Sequence, residues 1–435
     1  MSTDKFLGKL PRRIITGAQK VLESIRDDLK DKKKVVRKIS NSNNDFKVIC
    51  TDGSNVISER RGAAIALFSA TSLIYNYHNG EKEVLGLFEL DPAKTLFIFI
   101  PKFAVISRAN TLMRAFEYIV TIEALNRNKD VDYVILDGSY ISTLLDPTRI
   151  ISPIYHDLVD VFAGKKDVLV KILTSLEDEV KTIIKELESA QNTISLIDIF
   201  LNNYYNYIDQ LIAKFDEQIP ENAKITFQNY VVSIIEQNFT AYCLSKLLKT
   251  VEELKVPVLW LSKDSESRIL AKNYSAFSLL NDLSILDFIL EPDEYLVLND
   301  IIEIPPINER RVKFVEYQKG VKWEIYVIPR ELTETIYTEH GAYTIIYAKF
   351  TDFVIQFTYP TALKNQLDLG KFLADLKNIS ELGYPEPLII VHNRTLIHQK
   401  LIENLSDGLY ERCKEKGDTI ICNIIGDRGR RRIGI

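Results

Sequence analysis

Two stretches limit this chain more than its size does. Each is an apolar run closed by the same three residues: Lys47-Val-Ile-Cys-Thr-Asp52-Gly53-Ser54 and Val131-Asp-Tyr-Val-Ile-Leu-Asp137-Gly138-Ser139. Continuous aliphatic and β-branched residues of this length suit strands buried on both faces of a sheet. Two such strands, each ending in an acid and a turn-forming glycine, predict two carboxylates at one sheet edge, with Gly53 and Ser54 turning the chain away. Carboxylates gathered in that way suit a hard divalent cation, which prefers oxygen ligands.

The segments between them give the layout. Lys47–Thr51, Gly62–Tyr75 and Lys94–Pro101 read as three strands with short links, hence an antiparallel meander. A helix over Val105–Asn126 then acts as a crossover, so the strand Tyr133–Leu136 can lie parallel to the first. Three strands, a helix and a fourth strand, with acids on the first and fourth, is the layout of the ribonuclease-H-like fold. That fold takes a third acid from the crossover helix, where Glu117 and Glu123 both qualify. At about 100° per residue, Glu123 projects near the middle of the apolar stripe and Glu117 at its rim. Glu117 is preferred because it lies further upstream of Asp137 and can reach back across the sheet edge.

The fold class expected is therefore α/β: a ribonuclease-H-like mixed-sheet core with a large helical insertion and a C-terminal α+β portion. The expected division is an N-terminal helical segment (1–45), the first part of the core (46–154), a helical insertion (155–250) and the remainder of the core with a basic tail (251–435). Within 1–45, Ile14–Ile25 has helical spacing, and Lys32-Lys-Lys-Val-Val-Arg37-Lys38 reads as a solvated helix face or a DNA-backbone contact. In the insertion, Leu169, Leu173, Leu176, Val180, Ile183 and Leu187 form a seam that suits a helical hairpin on the core or a dimer contact. Asn202-Asn-Tyr-Tyr-Asn-Tyr207 reads as the polar rim of a helix.

Val256–Ser262 is another buried strand, and Lys263 follows it, where a cation beside the carboxylate edge would meet phosphates. Val312–Tyr317, Trp323–Pro329, Tyr343–Phe350 and Phe353–Tyr359 alternate strand and turn. Leu363–Leu382 reads as an amphipathic helix. Gly383–Asn393 reads as a turn, a short buried strand and a histidine, His392, at its end.

Composition narrows the chemistry. The net charge is −5, so a nucleic-acid site must be a local cleft and not a general basic coat. No apolar run reaches the length of a membrane span. The four cysteines form no CxxC pair, which argues against a zinc site or a disulfide framework and fits a reducing, cytoplasmic setting. GxxxxGK[ST], HExxH, GxSxG and a Gly-rich dinucleotide fingerprint are all missing from the sequence. What remains is Asp52, Glu117 and Asp137 with His392. Acids holding a cation, with a histidine near neutrality to orient water or protonate a leaving oxygen, suit phosphodiester hydrolysis.

In this order, Cys50-Thr-Asp52-Gly-Ser-Asn, Arg114-Ala-Phe-Glu117, Ile135-Leu-Asp137-Gly-Ser, Leu261-Ser-Lys263 and Gly383-Tyr384-Pro-Glu-Pro-Leu-Ile-Ile-Val-His392 resemble the motifs of the NurA nucleases. The resemblance spans Phe46 to Arg394. It implies a manganese-dependent (or magnesium-dependent) nuclease acting 5′ to 3′ on DNA ends, a homodimer, and a complex with the hexameric HerA ATPase in archaeal recombination repair. Residue by residue, Asp52, Glu117 and Asp137 match the metal-binding acids, His392 the catalytic histidine and Tyr384 a tyrosine near the site. Lys263 is the DNA-phosphate candidate. Two departures are the long helical block and the open choice between Glu117 and Glu123. The alternatives are a NurA-like structural partner of a DNA motor that cuts poorly, or another endonuclease on the same core.

Overall fold

A computed structural model describes residues 12–31, 35–42, 45–162, 164–274, 280–318 and 320–426. Helix α1 (Arg12–Asp31) leads to a short strand, β1 (Val36–Lys38). Strand β2 (Phe46–Glu59) folds back as β3 (Ala64–His78), β4 (Glu81–Glu89) pairs along the outer side of β3, and β5 (Phe97–Phe99) pairs with the start of β3. Helix α2 (Val105–Arg127) crosses the sheet and delivers β6 (Tyr133–Asp137) parallel to β2. Helices α3 (Tyr140–Val161), α4 (Lys166–Glu188), α5 (Ser195–Phe215) and α6 (Lys224–Leu254) come before β7 (Val258–Ser262), which lies parallel to β6.

The C-terminal portion adds β8 (Glu294–Val297), a separate hairpin of β9 (Lys313–Gln318) and β10 (Val321–Tyr326), then β11 (Tyr343–Lys349) and β12 (Val354–Pro360). Helices α7 (Leu369–Asn378), α8 (Glu386–Thr395), α9 (Gln399–Lys416) and α10 (Thr419–Ile425) complete it. One mixed sheet of ten strands results, in the order β1-β8-β11-β12-β7-β6-β2-β3-β4 with β5 beside β3. The mixed α/β architecture with a ribonuclease-H-like core is the one expected.

The sheet separates two cores, and strand parity assigns side chains to them. Ile49, Val134 and Leu136 pack with α2, α6 and the other insertion helices. Val48, Cys50, Tyr133, Ile135, Leu259 and Leu261 pack with α7 and α8. Helix α2 is enclosed by sheet and insertion, so it buries residues on every side. One buried ion pair fixes its start. Arg108 donates from Nε and Nη2 to the two carboxylate oxygens of Glu236 on α6, at 2.8 and 2.7 Å, and Tyr204 donates to the same carboxylate at 2.6 Å. Arg108 and Glu236 are each 1% exposed. Arg108 also donates to the Pro101 carbonyl at 2.8 Å and lies 4.8 Å from the ring centres of Phe99 and Phe103. Tyr204 is therefore a core residue, not the polar rim expected of its stretch.

Several other expectations are corrected. The third strand of the meander is β4, and Lys94–Pro101 contributes only the three residues of β5. Strand β4 escaped notice because Val84, Leu85 and Leu87 lie exposed among charged residues, so it shows no buried alternation. Asp52 does not end its strand: β2 runs unbroken through Gly53 and Ser54 to Glu59, held by continuous pairing with β3. Arg37 and Lys38 lie in edge strand β1, paired with Asp300 and Glu294, and not on a helix face. Lys32–Lys34 and the basic tail Arg428–Arg432 lie outside the described residues. The helix expected over Leu363–Leu382 is shortened to α7, because the Asp368 side chain caps it by accepting from Lys371 N–H.

In the seam of α4, Leu169, Leu173, Leu176, Val180 and Leu187 are buried, but Ile184 replaces Ile183. They pack within this chain as part of the insertion's core. Cys413 and Cys422 form a disulfide between α9 and α10, contrary to the expectation of none. Their spacing matches no redox motif, and it is the turn at Gly417 that brings them together.

Candidate metal centre

Strands β6 and β7 stop where β2 does not. Beyond Asp137 and Ser262 the sheet opens, and β2 continues paired with β3 alone. The parallel register sets Thr51 opposite Leu136, which brings Asp52 alongside Asp137. Asp52, Asp137 and Lys263 share the parity of Cys50, Ile135 and Leu261, so they emerge on the face covered by α7 and α8. The feature read from sequence as two strand ends is one strand end against the interior of a longer neighbour.

His392 meets them from α8. Its Nδ1 is 2.9 Å from Asp52 Oδ2. Ligand atoms of Asp52, Asp137 and His392 all lie within 4.8 Å of one another, the one such grouping among the described residues. His392 stands on a helix and not at a strand end. Pro385 precedes that helix, Glu386 and Pro387 occupy its first turn, and Pro387, Leu388, Val391 and Thr395 are buried at helical spacing. Those start signals outweigh the strand preference of Ile-Ile-Val.

Lys263 Nζ lies 4.0 Å from Asp137 Oδ2 and 5.4 Å from the Tyr384 ring centre. With 42% of its side chain exposed, it can reach a ligand. The Tyr384 hydroxyl is buried and faces Asp137.

Glu117 and Glu123 part company. Glu123 pairs with Arg127 one turn on, near β4 and away from the cluster. Glu117 is 4% exposed and comes from the opposite face of the sheet, against Gly53, where β6 has ended. Arg114, one turn earlier on α2, forms an ion pair with Asp146 of α3 and lies close enough to ease charge on Glu117. Sequence reasoning passed over Asp146, and the only hint was Arg114 at helical spacing from Glu117.

Electrostatics favour an added cation. Burial pushes the Glu117 carboxyl well above its usual range, and nearby Asp52 and Asp137 add to the shift while Arg114 opposes it. Burial also raises Asp52, against the pull of His392, the Gly53 N–H and Lys263. Asp137 is raised to about 6 by burial and by Asp52, opposed by Lys263 and His392. Three acids held this close resist ionisation unless positive charge joins them. Two carboxylates with a third behind form an oxygen donor set that fits manganese or magnesium, and the imidazole stands beside them. The buried Tyr384 hydroxyl beside Asp137 is one further polar group of the site.

A family model described as the NurA domain matches residues 46–397. No curated protein sequence matches. Among solved structures, the chain is similar to the NurA nuclease from Sulfolobus solfataricus, with a TM-score of 0.55, 16% identity, and coverage of 96% of this chain and 98% of that one. It is also similar to a NurA bound to dAMP and manganese, with a TM-score of 0.53, 14% identity, and coverage of 89% and 93%.

Proposed function

The chain belongs to the NurA family, and from that premise we propose that it is a manganese- or magnesium-dependent deoxyribonuclease. It hydrolyses phosphodiester bonds from DNA ends in the 5′ to 3′ direction, as a homodimer, with a hexameric HerA-type translocase supplying the motor in DNA end resection. The observation that carries the reading is the convergence of Asp52, Asp137 and His392 within 4.8 Å beside the half-exposed Lys263. A relative solved with dAMP and manganese supports it. No helix among the described residues is long and apolar enough to cross a membrane, which accords with action in the cytoplasm.

Asp52, Asp137 and Glu117 would hold the ion, which when bound supplies positive charge to the phosphate and acidifies a water. The chain's own residues do the rest. Lys263 binds a phosphate oxygen from the open side of the cluster. Asp52 orients the His392 ring through Nδ1, leaving Nε2 to hold a proton at the attacking water or the departing oxygen. Tyr384 places its buried hydroxyl beside Asp137.

End-labelled linear DNA, incubated with the protein in manganese, in magnesium and in EDTA, tests this. The expected result is shortening from the 5′ end in either metal and none in EDTA. DNA left intact in both metals, with and without the translocase, overturns the reading. Within the same assay, Glu117→Ala is expected to lower the rate by about 10²-fold through weakened ion binding, while Glu123→Ala stays within about twofold of the parent.

A further inference from the structure

Glycine inside a strand costs stability unless something needs its missing side chain. Gly53 lies in the middle of β2 with an ordinary negative φ, so backbone freedom is not the reason for it. A Cβ placed there would stand 2.4 Å from Glu117 Oε1, 2.8 Å from its Cγ and 3.0 Å from its Cδ. A small rotation relieves the first of these contacts alone, but overlap with Cγ and Cδ involves the whole arm of the side chain. Glu117 is buried, so that arm has no open space to swing into.

Nor can the helix retreat. Thr121, one turn after Glu117, donates to Thr51 at 2.8 Å, and Thr51 donates to Ser72 at 2.9 Å, a buried hydroxyl chain that ties α2 to β2 and β3. Across the strand pair Gly53 faces Ala70, another small residue. Parity puts Asp52 on one face of β2 and the vacancy at Gly53 on the other. The Gly53 N–H donates to Asp52 Oδ1 at 2.8 Å and also faces the Glu117 carboxyl.

We propose that Gly53 is a positioning residue, whose absent side chain is the port through which Glu117, on the far face of the sheet, reaches the Asp52–Asp137 pair. The functional half of this rests on the nuclease reading above. The steric half does not, and the test separates them.

Four proteins are melted in EDTA: the parent, Gly53→Ala, Glu117→Ala and the double variant. Overpacking predicts that Gly53→Ala lowers Tm by about 2–4 °C when Glu117 is present. When Glu117 is alanine, the same change leaves Tm unchanged or raises it, because replacing glycine at an ordinary φ restricts the unfolded chain. Manganese binding is then measured by calorimetry, where Gly53→Ala is expected to bind about 10- to 100-fold more weakly than the parent.

An equal Tm effect in both backgrounds overturns the port, whatever the metal does. So does coupling in EDTA with undiminished manganese affinity in Gly53→Ala. Coupling in EDTA with no manganese binding even to the parent is a different outcome: it removes the metal reading, and the positioning role falls with it.

Discussion

Asp52→Ala is expected to lose about 10³-fold in metal-dependent DNA hydrolysis, and Asp137→Ala the same, since each removes several kcal/mol of charge stabilisation by a bound ion. The two acids come from different strands and meet only through the register of β2 and β6. Their effects should not add: once either ligand is gone the ion is lost, so the double variant is expected to be no slower than the singles. Folding provides the control. Both carboxyls are raised above the usual value by burial, so at neutral pH their ionised forms oppose the metal-free fold. A group with a raised acid pKa penalises the native state above its unfolded pKa. Each alanine variant should therefore melt in EDTA no lower than the parent. Parent-like cutting by both variants would show that these carboxylates do not hold the ion.

The second large effect lies in the core. Arg108→Ala is expected to destabilise the protein by about 3–5 kcal/mol, because it strands the Glu236 carboxylate and removes the donor to the Pro101 carbonyl. Glu236→Ala should cost a similar amount for the mirror reason. Replacing both together, as Arg108→Met with Glu236→Leu, leaves no uncompensated charge and should recover most of the loss. Denaturant unfolding of the four proteins measures this. A single-variant cost under about 1 kcal/mol would mean that water reaches the pair and screens it. The pair also anchors α2, which carries Glu117, so loss of cutting ahead of global unfolding would report a shifted helix.

What the sequence made legible follows from how each residue is held. Asp137 could be placed because β6 ends at it. Asp52 is legible as a candidate but its setting is not: Asp-Gly-Ser is a turn signal in isolation, and only the long partner β3 keeps β2 extended through it. His392 is legible as a candidate from its motif but its helix is not, since Leu-Ile-Ile-Val suits a strand as well as a helix buried on one side. Glu117 and Glu123 could not be ranked by the apolar stripe because α2 is enclosed all round, and an enclosed helix has no exposed face to measure from. The Arg108–Glu236 pair was invisible, as charges so far apart in sequence meet only after the insertion packs.

The centre draws Asp52 and His392 together across a separation of 340 residues. On the ribosome, the acids of β2, α2 and β6 emerge before the insertion and the C-terminal strands, and α8 with its histidine only after them. A nascent chain can therefore gather its carboxylates long before the histidine joins them. The Asp52–His392 contact therefore waits on every element from the insertion to β12.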